Sequence, residues 1–260
     1  MRKLLPNIYH AIISSQAWVA FCFALLCKYI QLINAWDCDV LIFLAFFATL
    51  FAYNLSHWVT DKENWRMLIM VFSGLFSLVL GLIYLKIQIV LILSVLAFIS
   101  IYYSYAFNKK RLRNLPNIKM ISIALVWSIT AILPAFNDLG IVGFNLLNLV
   151  LSLFFFVVAI TIPFDIRDLE EDDESIKTLP QQFGVSGSIK IGVMCIGLSF
   201  ILFLNYFSFK INQFHIPFLV TLFIALIFLL NSSKTKNKWF TTFWIEGLSA
   251  LSFILFWIFN

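Results

Sequence analysis

The hydrophobic positions of this chain are grouped in long runs that polar residues rarely interrupt. Nine runs have about 18 residues or more, the length of a helix that crosses the hydrocarbon core of a bilayer. They cover residues 11–33, 40–58, 67–84, 87–106, 118–136, 145–164, 188–206, 214–231 and 240–259. The alternation of apolar and polar positions that a membrane β-barrel requires is not visible. The pattern therefore predicts an all-α membrane bundle of about nine transmembrane helices.

Composition narrows the class of protein further. Hydrophobic residues make up 62% of the 260 positions and charged residues 12%, with 18 basic and 13 acidic side chains. That is too little charge for the surface of a soluble domain, so a soluble globule, a disordered chain and a secreted disulfide scaffold are excluded. The four cysteines form no CxxC pair and predict neither a zinc site nor a disulfide framework. The net charge of +5 lies mainly between the runs, and no nucleic-acid partner is expected.

The distribution of the basic residues orients the bundle. If the N-terminus is cytoplasmic, 15 of the 18 basic residues fall on the inner side, and only Lys28, Lys86 and Lys210 fall outside. This is the bias of the positive-inside rule. We therefore expect one integral-membrane domain over residues 1–260, in a bacterial inner membrane, with a cytoplasmic N-terminus. The charged segments 59–66, 107–117 and 165–187 are expected to form a site that faces the cytoplasm.

The strongest candidate for chemistry is the acidic segment that follows the sixth run. Residues 165–174 contain seven acids in ten positions. Asp165, Asp168 and Asp172 are spaced i, i+3, i+7, so a helix would place them on one face. Carboxylates in that arrangement repel one another unless a cation lies between them, and oxygen ligands suit Mg²⁺. The alternative is a solvated acidic loop, but Asp165 lies at the membrane boundary, where ionisable residues are costly.

Two further segments carry polar chemistry on the same side. The segment 105–117 has four basic residues within five positions, and it predicts either anchoring to anionic lipid or a clamp for phosphate groups. In the segment 54–63, Asn54, His57 and Asp61 again follow the spacing i, i+3, i+7. Its alternatives are a polar cavity wall and a capped helix end with an interfacial Trp58, and His57 could be a ligand, a base or an interfacial histidine.

These residues together resemble the UbiA superfamily of intramembrane prenyltransferases. The stretch from Asp165 to Asp172, followed by Lys177-Thr-Leu-Pro180 and Gly184, is similar to the second aspartate motif of that family and its trailing sequence. The segment with Tyr105 and Lys109-Lys110 is similar to its connection between the fourth and fifth helices. Asn54 falls where its first motif begins. The resemblance covers the whole chain by topology and is specific over about 40 residues.

The resemblance implies Mg²⁺-dependent transfer of a prenyl group from a polyprenyl diphosphate to an acceptor within the membrane. The metal ligands it implies are Asp165, Asp168, Asp172, Asn54 and Asp61. The diphosphate-binding residues it implies are Lys109, Lys110, Arg111, Arg167, Lys177 and Lys62, and the catalytic residues are Asp165, Asp168, Lys109 and Lys177. His57 and Tyr105 are further candidates. The partners are the prenyl diphosphate and the lipid bilayer; the sequence fixes neither the acceptor, the prenyl chain length nor the oligomeric state.

The first motif departs from the pattern of the family, which is Asn-Asp-x-x-Asp-x-x-x-Asp. Here Leu55 and Trp58 replace the first two acids, Lys62 replaces the last, and Asp61 stands one position early. Either the segment forms an altered first site, or one metal site is lost and transferase activity with it.

Two alternative functions follow from the same residues. A membrane terpene cyclase would ionise the diphosphate in the same way without an acceptor. A non-catalytic isoprenoid-binding or transport protein would use the fold without the reaction. The acidic Glu246, alone among apolar residues of the last run, is explained by none of these hypotheses.

Overall fold

The structure is a computed structural model that describes residues 11–104, 118–138, 145–170, 177–234 and 237–260. Within these residues the chain is helical, with short links and no strand. The helices are α1 (Ala17–Asn34), α2 (Asp39–Asp61), α3 (Asn64–Tyr84), α4 (Ile87–Ser104), α5 (Ile118–Ile132), α6 (Pro134–Asp138), α7 (Asn145–Arg167), α8 (Leu179–Tyr206), α9 (Ile216–Asn231) and α10 (Glu246–Phe259). A π-helical turn, Phe240–Ile245, leads directly into α10.

The all-α membrane bundle predicted from the sequence is confirmed. Each of the nine apolar runs contains one long helix, and the short α6 extends α5 beyond Leu133. Among the residues that the structure describes, seven helices are long and apolar enough to cross a membrane, whereas the apolar stretches Ile87–Tyr102 and Ile216–Asn231 are shorter. All backbone hydrogen bonds of a helix lie within its own segment, so this architecture suits a hydrocarbon environment. The chain is thus built as an integral membrane protein.

Helix α7 forms the centre of the core. It packs most extensively against α8 and also contacts α5 and α9. Its Phe156 is fully buried and meets Phe218 of α9 edge to face, with 5.5 Å between ring centroids. Helix α8 packs closely against α9 at Gly192, where an added Cβ would lie 2.6 Å from Leu229 Cδ2. Small residues of this kind allow membrane helices to approach closely, because packing rather than water exclusion holds them together.

Helices α3 and α4 lie at the periphery and expose apolar side chains over most of their length. Among the residues of α3, only Ser73 and Gly81 are buried, and α4 makes few contacts with its neighbour α3. An apolar surface of this extent is stable only against lipid. Helix α3 packs closely against α2, and the sparse packing between α3 and α4 leaves space between those two helices.

The charged segments on the predicted cytoplasmic side are shorter than the sequence suggested. Residues 59–66 are helical except for Lys62 and Glu63, and Lys62 closes α2 with a left-handed φ of 54°. Within 165–187, α7 continues to Arg167 and α8 begins at Leu179, with a kink at Gly184 where φ is 70°. Segment 107–117 lies outside the described residues. Several charged residues that the sequence assigned to loops therefore lie at the ends of helices.

Candidate functional site

A cavity of about 910 Å³ runs between α2, α3, α4, α5 and α7. Most of its wall is apolar, formed by residues such as Phe51, Leu78, Leu93 and Trp127. Along α2 it extends from Leu44 to His57, a rise of about 20 Å at 1.5 Å per residue. One end is polar. The lining residues there that carry charge are Lys119, Asp165, Arg167, Asp168 and Glu246.

Asp165 and Lys119 form the first ion pair at this polar end. Asp165 lies near the end of α7 and is 5% exposed. Lys119, at the start of α5, donates from Nζ to its Oδ1 at 3.2 Å. A carboxylate buried to this degree needs a partner, because the lost hydration would otherwise cost several kcal/mol, of the order of 3–5 kcal/mol when one partner of a buried pair is removed. The pair therefore holds the start of α5 against the end of α7 at the cavity.

Asp168 and Arg167 form the second ion pair. The guanidinium donates from Nε to Oδ1 at 2.5 Å and from Nη2 to Oδ2 at 2.7 Å, a bidentate arrangement. Its third nitrogen, Nη1, donates to Oγ1 of Thr241 at 2.6 Å in the π-helical turn. Arg167 thus links the end of α7 to the start of the last helix. Glu246 interacts electrostatically with the same guanidinium.

The end of α2 brings uncharged polar groups to the cavity. His57 lines the cavity, and its Nε2 lies 3.3 Å from Nε2 of Gln16. Gln16 lies in a break between two helical segments, just before α1, and its backbone there is left-handed, with φ 64° and ψ 15°. Asn54, one turn earlier on α2, donates from Nδ2 to the carbonyl oxygens of Ser15 and Leu50, both at 2.9 Å. The side chain of Asn54 therefore fixes the break that carries Gln16.

The structure brings together only part of the predicted site. Asp165, Arg167, Asp168 and His57 line the cavity. Asn54 is buried away from it, and Asp61, Lys62 and Lys177 are exposed and are not among the residues that line it. The remaining predicted residues lie outside the described part of the chain: Tyr105, Lys109, Lys110, Arg111 and Asp172.

Three residues of the polar end were not predicted from the sequence. Lys119 is the partner of Asp165, Gln16 is the partner of His57, and Thr241 accepts from Arg167. A signal existed for Lys119, which is the only charged residue in its apolar run. Gln16 gave the same kind of signal as a polar residue within the first run. Thr241 is ordinary in a membrane helix, so only the contact with Arg167 reveals it.

The resemblance implies Mg²⁺, and the carboxylates at the polar end of the cavity decide how many such ions the residues present could hold. Mg²⁺ is commonly held by one or two carboxylates, several waters and substrate phosphates. Asp165, near the end of α7, and Asp168, which directly follows Arg167, both line the cavity and fit one such ion once Lys119 and Arg167 turn to the phosphates. The end of α2 offers no carboxylate to the cavity. Across the described residues no group of three His, Cys, Asp or Glu side chains could hold a metal.

Comparisons with known proteins agree on the fold. No family model and no curated protein matches the chain. Among solved structures, a UbiA homologue from Aeropyrum pernix K1 superposes with a TM-score of 0.67 at 10% identity, covering 92% of this chain and 96% of that one. A UbiA homologue from Archaeoglobus fulgidus bound to GPP and Mg²⁺ gives 0.65 at 14% identity, covering 96% and 98%.

A third structure, of digeranylgeranylglyceryl phosphate synthase in membranes, gives a TM-score of 0.57 at 18% identity, covering 98% of both chains. At these identities the likeness concerns the fold rather than the chemistry. It extends over nearly the full length of each protein. The fold that the sequence motifs predicted is confirmed: this chain has the fold of the UbiA homologues.

Proposed function

We propose that this protein is an integral-membrane prenyltransferase that binds a prenyl diphosphate in the cavity and transfers the prenyl group to an acceptor. The observation that carries the proposal is the form of the cavity, a long apolar space that ends at three acidic and two basic side chains. Transfer of an isoprenoid tail from water into an apolar cavity is favourable, and charged groups at one end of that cavity are required to bind the diphosphate. Neighbours of the same fold are described with GPP or DMAPP and Mg²⁺ bound.

The polar end supplies groups for each part of the reaction. Lys119 and Arg167 would exchange a carboxylate for a phosphate oxygen, and so neutralise charge that develops on the leaving diphosphate. Asp165 and Asp168 would hold the one Mg²⁺, which when bound adds charge neutralisation of the same kind. The C–O bond of the allylic diphosphate breaks with both electrons going to oxygen, and the acceptor forms a new bond to the allylic carbon as it loses a proton.

The test is diphosphate release by the purified protein in detergent. Labelled prenyl diphosphates of several lengths are incubated with Mg²⁺ or with EDTA, first without an added acceptor. We expect Mg²⁺-dependent release that Asp165→Asn abolishes, while Asp39→Asn, at the opposite end of the bundle, leaves release unchanged. Unchanged release in Asp165→Asn, or its absence in the wild-type protein with every chain length, would contradict the proposal. A cyclic hydrocarbon product would instead identify the cyclase.

A further inference from the structure

We propose that the amide of Gln16 binds the anionic head group at the end of α2, in place of a second metal ion, and that the site takes one divalent cation. This inference rests on the proposed function and specifies how its substrate is bound.

The end of α2 offers no carboxylate to a cation at the cavity. Leu55 is buried and apolar, and Trp58 is a poor ligand because its indole nitrogen is only a donor. Asp61 is exposed beyond the cavity. Mg²⁺ needs oxygen ligands in near-octahedral geometry. A second ion placed here would therefore have water and substrate but no carboxylate of this helix.

Asn54, the residue at the start of the altered motif, performs a structural task. Its Nδ2 donates to two backbone carbonyls, one of them that of Ser15. Carbonyl oxygens require a donor, so the amide nitrogen points toward them, while Oδ1 is buried outside the cavity lining and has no hydrogen-bond partner among the described residues. Arg66 supports the same break by donating from Nη1 to the carbonyl oxygen of Ser14 at 3.0 Å. Asn54 of α2 and Arg66 of α3 therefore both stabilise the helix break just before α1.

This break carries Gln16 into the cavity wall. A left-handed φ is uncommon for a residue other than glycine and persists only where its surroundings enforce it. The amide nitrogen of Gln16 is always a donor, so Nε2 of His57 accepts one of its two hydrogens. Across the described residues, the second hydrogen and Oε1 of Gln16 make no other hydrogen bond. His57 is thus a positioning residue, and Gln16 is the group that contacts the ligand.

The chemistry of the pair suits an anionic oxygen. An N–H donor oriented by a neighbouring imidazole can bind a phosphate oxygen without the hydration cost of a second cation. The other side of the head group faces Lys119, Arg167 and the single ion held by Asp165 and Asp168. The substrate class that fits is a prenyl diphosphate chelating one divalent cation, with its remaining oxygen bound by an amide.

The test counts ions with the full-length protein in detergent. Mn²⁺ replaces Mg²⁺, free Mn²⁺ is measured by electron paramagnetic resonance, and the probes are geranyl and geranylgeranyl thiolodiphosphate, whose sulfur slows ionisation. We expect one Mn²⁺ per bound probe. We expect Gln16→Leu to weaken probe binding about tenfold or more, the effect of losing a hydrogen bond to a charged group, without changing the ion count. The matched control is Gln88→Leu, at an exposed position outside the cavity.

Two substitutions distinguish the role of Asn54 from that of a ligand. Asn54→Asp cannot donate to Ser15 and is expected to weaken probe binding as Gln16→Leu does, whereas a ligand role would preserve or strengthen Mn²⁺ binding. Asp61→Asn is expected to change nothing. Two ions per probe, probe binding without any ion, or an unaffected Gln16→Leu would overturn the inference. If no probe binds under any condition, the proposed function itself fails.

Discussion

Helices α2 and α7 each have 23 residues and end at the same cavity, but their ends differ in charge. The end of α7 places two carboxylates on the cavity, each paired with a cation. The end of α2 places Ser56 and the imidazole of His57 there, without a carboxylate, and the imidazole contacts an amide from the start of α1. The ion pairs of this site are therefore found at the end of α7 and not at the end of α2. Substitutions at the end of α7 should therefore alter chemistry, and those at the end of α2 should alter binding.

The largest effect is expected from Asp168→Asn. It removes a carboxylate from the cavity and also the bidentate partner of Arg167. Diphosphate release should fall about 100-fold or more, the typical loss when one charge-stabilising group is removed from an active site. The matched substitution at the other helix, Asp61→Asn, should change the rate less than about twofold, since an exposed carboxylate is screened by water. Equal losses in the two variants would show that the ends are equivalent.

A smaller effect is expected from Arg167→Lys. An ammonium keeps the charge but cannot span both oxygens of Asp168 and Thr241 together. We expect diphosphate release to fall about tenfold, through kcat more than KM, because the position of the charge changes and its presence does not. Thr241→Val removes one of the three hydrogen bonds and should cost less. Steady-state kinetics of both variants with geranylgeranyl diphosphate would check this order.

Glu246→Gln should have the opposite sign. The ionisable residues that line the cavity include three acids and two bases, and the Glu246 carboxyl opposes an anionic head group near Arg167 when it is ionised, which a measurement at about pH 9 ensures. Its neutralisation should tighten binding of geranylgeranyl thiolodiphosphate about threefold, with the gain decreasing as salt is added. Asp39→Asn, at an exposed residue at the opposite end of the bundle, provides the control. Weaker binding in Glu246→Gln would assign this carboxylate a direct part in holding the substrate or its cation.

The smallest effect lies at the other end of the bundle and separates stability from chemistry. His215 is buried against Phe207, with 3.8 Å between ring centroids, and burial lowers the pKa of its imidazole. A neutral imidazole costs less free energy to bury than an imidazolium, so this contribution to stability is complete above the unfolded pKa of about 6.5 and decreases as pH falls below it. Thermal unfolding midpoints measured from pH 8 to about 5.5 should decrease more for wild type than for His215→Gln. Identical slopes would contradict this assignment.

The fold was predictable because its determinants are local. Each membrane helix requires an unbroken apolar run, and the runs are separated by charged residues such as Lys62 and Glu63. The helix ends were less predictable. Residues 165–167 begin the acidic segment 165–174, yet α7 continues through them, and Asp165 and Arg167 find partners on α5 and in the π-helical turn.

The site was predictable on one side only. The spacing of Asp165 and Asp168 is a property of one helix, and the sequence displays it directly. The pairing of Gln16 with His57 joins residues 41 positions apart and depends on a backbone break that no periodicity signals. Asn54 illustrates the limit: its place in the motif predicts a metal ligand, whereas its two carbonyl partners are visible only in three dimensions.

The π-helical turn before α10 determines how this helix tolerates insertions and deletions. A π turn accommodates about one residue more than an α turn. Loss of one residue between Phe240 and Ile245 would restore a regular helix and rotate the preceding segment by about 100° relative to α10. Thr241 and Glu246 could then no longer share the same guanidinium. An alignment that assumes an uninterrupted helix here would shift by one position the residues that face Arg167.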